Sequence, residues 1–580
     1  MSERQVLVEK NVSCQLRDGT MLKADVYRPN DGGAYPVLMT RLPYSKDLPR
    51  YSQTLLDPIK AAGRGYVVII QDVRGRFQSE GTFRSYLSEA EDGYDAVEWA
   101  ASLPYSTGDV GMYGISYFGF TQLLAAGKQP PHLKAIFPMM TFNDSRDGVV
   151  YHGGAMNLGL TESWALGTIA PDLLVRKHGM TPELGAALQQ YAGYVNHIED
   201  WYRDTPVKEW TPLKELGTAD FFFEQSAHPL EDEAYWEETS IVHQYGQLGV
   251  PAFHLAGWYD VFLGPTIKNY TEMAKKTGQK QKLIIGPWGH GTFTPVVGER
   301  SFGIHSSGEF INLKEDLTSL QLRWFDHTLK GEDNHIDEEP PVKLFVMGIN
   351  QWRDEKEWPL QRTEYIPYYF HSKGNANSRN GDGGLSREIP NEQRADTYIY
   401  DPENPVPTKG GGTLYAGVLT MGPRDQGEIE DRGDVLVYTS EPLEQPLEVT
   451  GPVKVKLWAV TDAVDTDFTA KLVDVMPDGT PYNLTDGIVR AKYRNGYQPE
   501  PVQPGDIVEY EIDLWATSNV FLPGHRIRVE VSSSNFPRFD RNPNTGKTMV
   551  DSSETQPARQ KVFHNADYPS HIILPVIPGQ

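Results

Sequence analysis

The sequence predicts an α/β domain that is interrupted by a helical insertion and followed by an all-β domain. Residues 1–144 and 241–354 alternate strand-like with helix-like runs, which is typical of a parallel sheet covered by helices. Residues 145–240 are helix-like and rich in Trp, Tyr and Phe, and they predict a cap over the sheet. Residues 355–580 contain short apolar runs separated by Pro, Gly and Asn, which favours a β sandwich or jelly roll.

The individual elements follow from local patterns. Residues 66–72 form a continuous β-branched run, which indicates a strand buried on both faces. Helices are predicted over residues 90–102, 182–201, 265–276 and 309–329. Further strands of the α/β domain are predicted over residues 6–16, 21–27, 35–40, 133–139, 252–256 and 282–286. Strands of the all-β domain are predicted over residues 435–439, 453–460, 507–514, 527–531 and 571–574.

Composition limits the partners and the compartment. The chain of 580 residues carries a formal net charge of −24, which argues against nucleic acid and anionic membranes as partners. No apolar run reaches the roughly 18 residues of a membrane helix, and the N-terminus lacks the pattern of a secretory signal. Cys14 is the only cysteine, so an intrachain disulfide is excluded. We therefore expect a cytoplasmic protein.

The most informative motif surrounds Ser116. The segment Gly114-Ile115-Ser116-Tyr117-Phe118-Gly119 stands between a strand-like run and a helix-like run. We interpret it as a nucleophile elbow of the G-x-S-x-G type, although its second glycine stands one residue later than in that pattern. The alternative is a glycine-rich turn with a structural role. If the elbow is real, the chain has an α/β-hydrolase fold.

A serine nucleophile needs a base and a carboxylate that orients the base. Behind such an elbow the chain order is Ser, acid and His, each at the carboxyl end of a strand. Asp260 follows the strand predicted at 252–256, and His290 follows the strand predicted at 282–286. Alternatively, Asp260 caps a helix and His290 is an exposed loop residue. His254 is the competing base, but its place inside an apolar run favours a core histidine.

An oxyanion hole needs two hydrogen-bond donors. The backbone N–H of Tyr117, the residue after the nucleophile, is one candidate. No glycine-rich oxyanion loop follows the early strands, where the segment Thr40-Arg41-Leu42-Pro43-Tyr44 stands instead. The Tyr44 hydroxyl is therefore the second candidate, with simple packing as its alternative. Phe262, Trp164 and Trp288 are candidate walls of a substrate pocket, although core packing is the default for each.

Five segments together resemble the cocaine esterase family of α/β-hydrolases. They are Thr40-Arg41-Leu42-Pro43-Tyr44, Gln71-Asp72-Val73-Arg74-Gly75-Arg76, Gly111-Met112-Tyr113-Gly114-Ile115-Ser116-Tyr117, Gly257-Trp258-Tyr259-Asp260 and Gly286-Pro287-Trp288-Gly289-His290. Relatives of that family are the α-amino acid ester hydrolases, the glutaryl-cephalosporin acylases and the X-Pro dipeptidyl-peptidases. The resemblance covers the hydrolase domain, the cap and the jelly roll. It implies Ser116 as nucleophile, His290 as base, Asp260 as its partner, and the Tyr44 hydroxyl with the Tyr117 N–H as oxyanion hole.

One departure from the relatives narrows the expected substrate. The α-amino acid ester hydrolases place further carboxylates just beyond the acid of the triad, whereas this chain has Val261-Phe262-Leu263-Gly264 there. An apolar acyl pocket is the more natural interpretation. We also expect Asp72 and Arg74 to form hydrogen bonds or ion pairs that structure a loop near the site.

The sequence thus predicts a serine hydrolase that cleaves small-molecule esters, or amides, through an acyl-enzyme intermediate. No cofactor and no metal are expected. Within the same class the alternative is an acylase or a dipeptidyl-peptidase-type amide hydrolase. From a different class, the alternative is a glycan- or protein-binding protein with an inactive hydrolase domain. The sequence leaves the oligomeric state open.

Overall fold

The fold comes from a computed structural model that describes residues 4–391, 394–414 and 421–579. The first part of the chain alternates strands and helices, as predicted. Its strands are β1 (Val6–Gln15), β2 (Met21–Pro29), β3 (Tyr35–Leu42), β4 (Val67–Asp72), β5 (Ser106–Ile115) and β6 (Leu133–Met139). Its helices are α1 (Pro49–Ser52), α2 (Pro58–Gly63), α3 (Glu89–Ser102) and α4 (Tyr117–Gly127). Every residue of β4 is buried, as a β-branched strand covered on both faces should be.

Residues 145–240, which we call the cap, are mainly helical. Two short strands, β7 (Tyr151–His152) and β8 (Ala155–Met156), pair as a hairpin at its start. Its helices are α5 (Leu158–Ser163), α6 (Ala170–His178), α7 (Pro182–Asn196), α8 (Ile198–Trp201), α9 (Thr211–Leu216), α10 (Asp220–Ala227) and α11 (Glu233–Glu237). A π-helix over Trp164–Ile169 joins α5 directly to α6. Such segments are rare and occur frequently at functional sites.

The α/β pattern resumes after the cap. The elements are β9 (Ala252–Tyr259), α12 (Leu263–Lys276), β10 (Gln281–Gly289), β11 (Val296–Val297), β12 (Arg300–Ser301), α13 (Leu317–Lys330), β13 (Val342–Val346) and β14 (Gln351–Glu355). The prediction of a helix from residue 309 was wrong at its start. Asp316 caps α13 by accepting a hydrogen bond from the backbone N–H of Ser319, so the helix begins only at Leu317.

Ten strands form one central sheet. Their order is β1-β2-β4-β3-β5-β6-β9-β10-β13-β14. The strands from β4 to β13 in this order run parallel, while β1, β2 and β14 pair with antiparallel neighbours. The carboxyl ends of β5, β9 and β10 therefore meet at the same edge of the sheet, which is where open α/β sheets bind ligands.

The C-terminal part is all-β apart from short helical turns, as predicted. Its strands are β15 (Glu364–His371), β16 (Gly384–Ser386), β17 (Asp396–Tyr400), β18 (Leu436–Thr439), β19 (Leu447–Thr461), β20 (Asp467–Val475), β21 (Pro481–Arg490), β22 (Val508–Phe521), β23 (Arg526–Ser532), β24 (Ala558–Phe563) and β25 (His571–Val576), with α14 (Gly427–Glu430) between β17 and β18. They form an eleven-stranded network in the order β17-β24-β19-β25-β15-β16-β18-β23-β20-β21, with β22 on β19. Almost all of these pairs are antiparallel, so the C-terminal all-β domain is confirmed.

The central sheet and the C-terminal domain share one apolar core. This core takes Trp258, Leu283 and Phe345 from the central sheet together with Val455 and Leu514 from the C-terminal strands. Backbone bonds cross the same boundary, because the N–H of Met347 donates to the carbonyl of Ser518 at 3.0 Å and the N–H of Val520 donates back at 2.9 Å. No helix within the described ranges is both long and apolar enough to cross a bilayer.

The cap buries one carboxyl group that no polar partner satisfies. Glu162 lies in α5 with no exposed surface, and neither carboxylate oxygen has a hydrogen-bond partner among the described residues. Burial, with a smaller contribution from the charge of Asp204, raises the pKa of Glu162 well above its ordinary value. The folded protein therefore holds this proton at pH values at which the unfolded chain releases it. As a result, the free energy of unfolding falls as pH rises above the ordinary carboxyl pKa.

We expect Glu162→Met to stabilise the protein increasingly between about pH 5 and pH 8. The loss of unfolding free energy that the buried carboxyl group causes at rising pH disappears with that group. Methionine fills a similar volume, so the gain at the upper end should reach about 1–3 kcal/mol. Thermal melts across this range measure the effect. Glu183→Met, on the exposed first turn of α7, is the matched control and should bring no such gain. Equal melting of the wild type and Glu162→Met at the upper pH would contradict the prediction.

Candidate active site

The turn at Ser116 joins the end of β5 to the start of α4. Ser116 has φ 58° and ψ −126°, a positive-φ conformation that residues with a side chain rarely adopt. Gly114 has φ 144°, and a Cβ there would lie 2.3 Å from the Phe118 ring. A Cβ on Gly119 would lie 2.7 Å from Cβ of Thr141. Both glycines thus permit the tight turn, and Gly119 does so from one residue beyond its position in the usual motif.

Two backbone contacts hold this strained turn while leaving Ser116 half-buried. The N–H of Ser116 donates to the carbonyl of Met139 at 3.0 Å, and Oγ1 of Thr141 donates to the carbonyl of Ser116 at 2.7 Å. Both partners belong to the end of the neighbouring strand β6 or follow it. Strain that the surroundings maintain in this way clusters at functional sites.

Asp260 and His290 form a hydrogen-bonded pair at the same edge of the sheet. Asp260 directly follows β9, His290 directly follows β10, and Oδ1 of Asp260 lies 2.7 Å from Nδ1 of His290. The Asp260 side chain is fully buried, whereas the His290 side chain is 10% exposed. The pair lies beside the Ser116 turn, because a Cβ on Gly291 would be 3.9 Å from Cδ1 of Ile115.

His254, the competing base, lies in the core. It has no exposed surface in the middle of β9, and its Nε2 lies 3.0 Å from Oε1 of Gln281. Burial lowers the pKa of His254 to about 4, so its imidazole is neutral near neutral pH. This histidine is a structural residue of the sheet.

Tyr44 presents its hydroxyl to Ser116. It lies just beyond β3 and is 8% exposed. Its hydroxyl accepts a hydrogen bond from Nε1 of Trp164 at 3.1 Å and interacts with the Ser116 hydroxyl. Burial raises the pKa of Tyr44 far above its ordinary value. The phenol therefore keeps its proton and can serve as a donor.

Tyr117 is the first residue of α4, where backbone N–H groups have no partner within the helix. Its side chain is anchored below the turn, because its hydroxyl donates to Oε1 of Glu89 at 2.9 Å. Nη1 of Arg41 forms an ion pair with the other Glu89 oxygen at 2.9 Å. This buried network holds the Tyr117 side chain in place directly after Ser116.

Aromatic rings surround the candidate site. Phe262 packs edge-to-face on the His290 ring, with the centroids 5.2 Å apart. Trp164 is half-buried and belongs to a cluster of rings from the cap and the central-sheet domain. The rings that pack on Trp164 are Phe83, Tyr86, Tyr117 and Phe221. Of these, only Tyr117 could be predicted at the site from its local sequence, because it directly follows Ser116. The other three are brought to the site by the tertiary fold.

Trp288 does not line a pocket, and that prediction was wrong. The side chain has no exposed surface, and its indole N–H donates to the carbonyl of Ser306 at 2.7 Å. Its ring lies over Gly286, where a Cβ would come within 2.4 Å of it. Because β10 is buried along its whole length, the tryptophan falls into the core although it stands next to the site in sequence.

The loop after β4 is held by charges, as expected. Nη2 of Arg74 binds Asp92 at 2.7 Å, and Nη1 binds Asp18 at 2.8 Å. Asp72 accepts a hydrogen bond from the backbone N–H of Lys46 at 2.9 Å. Burial raises the pKa of Asp72 to about 6, although Lys46 opposes the shift. These contacts tie the loop to the segment that carries Tyr44.

The C-terminal domain also reaches the site, which the sequence did not indicate. A Cβ on Gly412 would lie 2.9 Å from the carbonyl oxygen of Asp260, and a Cβ on Gly289 would lie 2.6 Å from Sδ of Met421. These contacts join residues that are far apart in the chain, so they cannot be predicted from a local sequence pattern. No cluster of His, Cys, Asp and Glu that could hold a metal occurs among the residues that the structure describes.

Known proteins match nearly the whole chain. Residues 18–292 match the family described as X-Pro dipeptidyl-peptidase (S15 family), and residues 334–573 match the X-Pro dipeptidyl-peptidase C-terminal non-catalytic domain. Cocaine esterase of Rhodococcus sp. (strain MB1 Bresler) is 41% identical over 576 residues, which cover 98% of each chain.

Two solved structures share the full architecture. An aminopeptidase from a marine sediment archaeon, Thaumarchaeota archaeon, has a TM-score of 0.80 and 26% identity, covering 99% of this chain and 97% of its own. An α-amino acid ester hydrolase shares the fold with a TM-score of 0.79 at 24% identity and the same coverage. The family resemblance of the five sequence segments is thus confirmed over the full length. The chain belongs to the cocaine esterase family, a family of serine esterases.

Proposed function

We propose that this protein hydrolyses carboxylic esters of small molecules through an acyl-enzyme intermediate, with Ser116 as nucleophile, His290 as base and Asp260 as its partner. The observation that carries the proposal is the 2.7 Å pair of Asp260 and His290 beside the strained Ser116 turn. A base that is oriented by a carboxylate and stands next to a half-buried, accessible serine is the arrangement that activates a hydroxyl nucleophile.

The chemistry follows from these positions. Asp260 accepts a hydrogen bond from Nδ1–H of His290, which leaves Nε2 unprotonated and able to take the proton of the Ser116 hydroxyl. The serine oxygen then attacks the ester carbonyl, and the negative charge on the carbonyl oxygen is met by the Tyr44 hydroxyl and the Tyr117 N–H. His290 passes its proton to the leaving alcohol. Water repeats the sequence and releases the acid, so no step requires a cofactor.

In this proposal the central sheet is an α/β-hydrolase fold with a helical cap over residues 145–240, and residues 355–580 are a jelly roll. Support comes from the sheet order, in which the strand before Ser116 stands at the centre and those before Asp260 and His290 follow toward one side. A cytoplasmic location remains the expectation from the single buried Cys14.

The substrate side of the site favours an uncharged acyl group. The three residues after Asp260 are apolar and buried, and Phe262 packs on both His290 and Phe142. An ammonium group on the acyl part of the substrate would need a carboxylate at this place, and none of these three residues supplies one. We therefore propose apolar or aromatic acyl esters as the substrate class.

Amide hydrolysis is the second candidate. The match to the X-Pro dipeptidyl-peptidase family and the fold shared with an aminopeptidase favour it. A peptidase that recognises a free amino terminus needs an accessible carboxylate near the acyl pocket, whereas the three residues that follow Asp260 are apolar and buried.

One experiment tests the proposal and separates the two candidates. A fluorophosphonate should label the protein stoichiometrically, and peptide mapping should place the label on Ser116. The purified protein should then cleave short acyl and benzoyl aryl esters faster than the matching anilides and dipeptide anilides. A label on another residue would overturn the nucleophile assignment. A preference for the dipeptide anilides would establish the peptidase alternative instead.

Tyr44→Phe should lower kcat by about 10²- to 10³-fold with little change in KM. The hydroxyl donates most strongly once charge has formed on the carbonyl oxygen, so its loss affects the transition state more than the bound substrate. Tyr51→Phe is a suitable control. The Tyr51 ring stacks on Tyr44 with the centroids 4.8 Å apart, and the substitution keeps this ring while removing the Tyr51 hydroxyl. A Tyr44→Phe variant that keeps nearly full kcat would show that the second donor lies elsewhere.

A further inference from the structure

We infer that Trp164 of the cap is a positioning residue for the oxyanion hole, acting through the Tyr44 hydroxyl. This inference rests on the proposed function and deepens it. The two side chains belong to different domains, yet Nε1–H of Trp164 donates to the Tyr44 hydroxyl oxygen at 3.1 Å. The tryptophan thus does more than provide an aromatic wall.

The hydrogen bond determines where the Tyr44 proton points. The phenol ring cannot turn, because it stacks on Tyr51 at 4.8 Å and meets Phe118 edge-on at 6.0 Å. The torsion of the O–H bond is therefore the freedom that remains. When the oxygen accepts the indole N–H, its own proton is directed away from Trp164. Among the described residues, the Ser116 hydroxyl is the second hydrogen-bonding partner of the Tyr44 hydroxyl.

The same bond makes Tyr44 a better donor. A hydroxyl that accepts one hydrogen bond donates its own more strongly, because linked hydrogen bonds polarise one another. Tyr44 is only 8% exposed, and the indole N–H of Trp164 is the donor that its hydroxyl oxygen meets in the folded protein. The Trp164 N–H therefore orients the O–H bond of Tyr44 before substrate binds. It also strengthens the hydrogen bond that this O–H donates to the oxyanion.

Trp164 belongs to a π-helix, and the far end of that π-helix is also bound to the segment that carries Tyr44. Trp164 opens the π-helix and Ile169 closes it. The buried Arg76 bridges the two segments, since its Nε donates to the carbonyl of Pro43 and its Nη1 donates to the carbonyl of Ile169, each at 2.9 Å. The π-helix is thus held against the oxyanion segment at both ends.

A double-mutant cycle tests the inference. Trp164→Phe keeps an aromatic ring but removes the N–H, and it should lower kcat by about 3- to 10-fold with KM changed less than twofold, in line with the loss of one hydrogen bond. In the Tyr44→Phe background the same substitution should change kcat by less than twofold, because the acceptor is already gone. Binding of a trifluoromethyl ketone, which forms an oxyanion on the enzyme, should weaken in parallel with kcat.

Trp236→Phe is the matched control. Its indole is fully buried in the cap and donates to the carbonyl of Pro229 at 2.8 Å, so the substitution removes the same kind of bond away from Tyr44. It should lower the melting temperature and leave kcat unchanged.

Each other outcome is decisive. If Trp164→Phe lowers kcat equally in both backgrounds, Trp164 acts independently of Tyr44 and the inference is overturned. The same holds if Trp164→Phe changes KM alone, because the residue is then only a wall of the pocket. If Tyr44→Phe keeps full kcat, the oxyanion role of Tyr44 fails first. A neutral Trp164→Phe beside an impaired Tyr44→Phe overturns only the inference.

Discussion

Ser116→Ala should abolish ester turnover, with a loss of about 10⁶-fold in kcat, while the protein remains folded. The serine oxygen forms the covalent bond to the acyl group, and nothing else at the turn can replace it. Alanine keeps the Cβ and therefore the same backbone strain at φ 58°, so the turn should persist. Progress curves with an aryl ester and a thermal melt measure the two parts of this expectation.

The control and the contradicting result are equally definite. Ser102→Ala removes an exposed hydroxyl at the end of α3 that donates only to the carbonyl of Trp99, so it should leave kcat unchanged. The Ser116→Ala variant should also lose fluorophosphonate labelling. A variant with near-normal turnover and an unchanged melt would overturn the assignment of Ser116 as nucleophile.

The parts of the site that were predictable are those with a local signature. The Ser116 turn requires glycines at fixed offsets, because any Cβ at Gly114 or Gly119 would collide with its neighbours. Asp260 and His290 each follow an apolar strand, and parallel strands bring their carboxyl ends to one edge. Chain order and strand order therefore sufficed to bring these residues together.

The rest depended on contacts between distant segments. Trp288 stands two residues before His290, yet its ring packs in the core. Gly286 has no side chain, and the Trp288 ring occupies the space that a Cβ there would take. The bond from Trp164 to Tyr44 joins the cap to the central-sheet domain across 120 positions of sequence. Periodicity also failed at residue 309, where apolar residues mimic a helix before the true cap at Asp316. Side-chain direction and long-range packing are not encoded in such patterns.

The architecture itself followed from pattern changes along the chain. Alternating elements gave the central sheet, and the loss of helical runs past residue 355 gave the all-β domain. The strand β19 is longer than predicted, running from Leu447 to Thr461, because Gly451 and Pro452 interrupt the apolar pattern without ending the strand. A register irregularity between β19 and β22 follows Pro452 and accommodates them.

Removal of the C-terminal domain should have the other large effect. A chain that ends at Glu355 keeps all ten strands of the central sheet but loses most of the shared core. Trp258, Leu283 and Phe345 would then face water, at a cost of about 1.5–3 kcal/mol for each large side chain that loses its burial. We expect residues 1–355 to aggregate, or to bind a hydrophobic dye and melt without cooperativity.

Activity should disappear even from the soluble part of such a preparation. Gly412 packs on the backbone of Asp260, and Met421 packs on Gly289, directly before His290. Without these contacts the segments that carry the acid and the base lose their support, and small displacements of catalytic groups are costly. Co-expression of residues 356–580 should restore solubility and turnover if the two parts reassemble through their shared core. A fragment of residues 1–355 that stays soluble, melts cooperatively and keeps full esterase activity would show instead that the C-terminal domain is an appendage with a separate binding role.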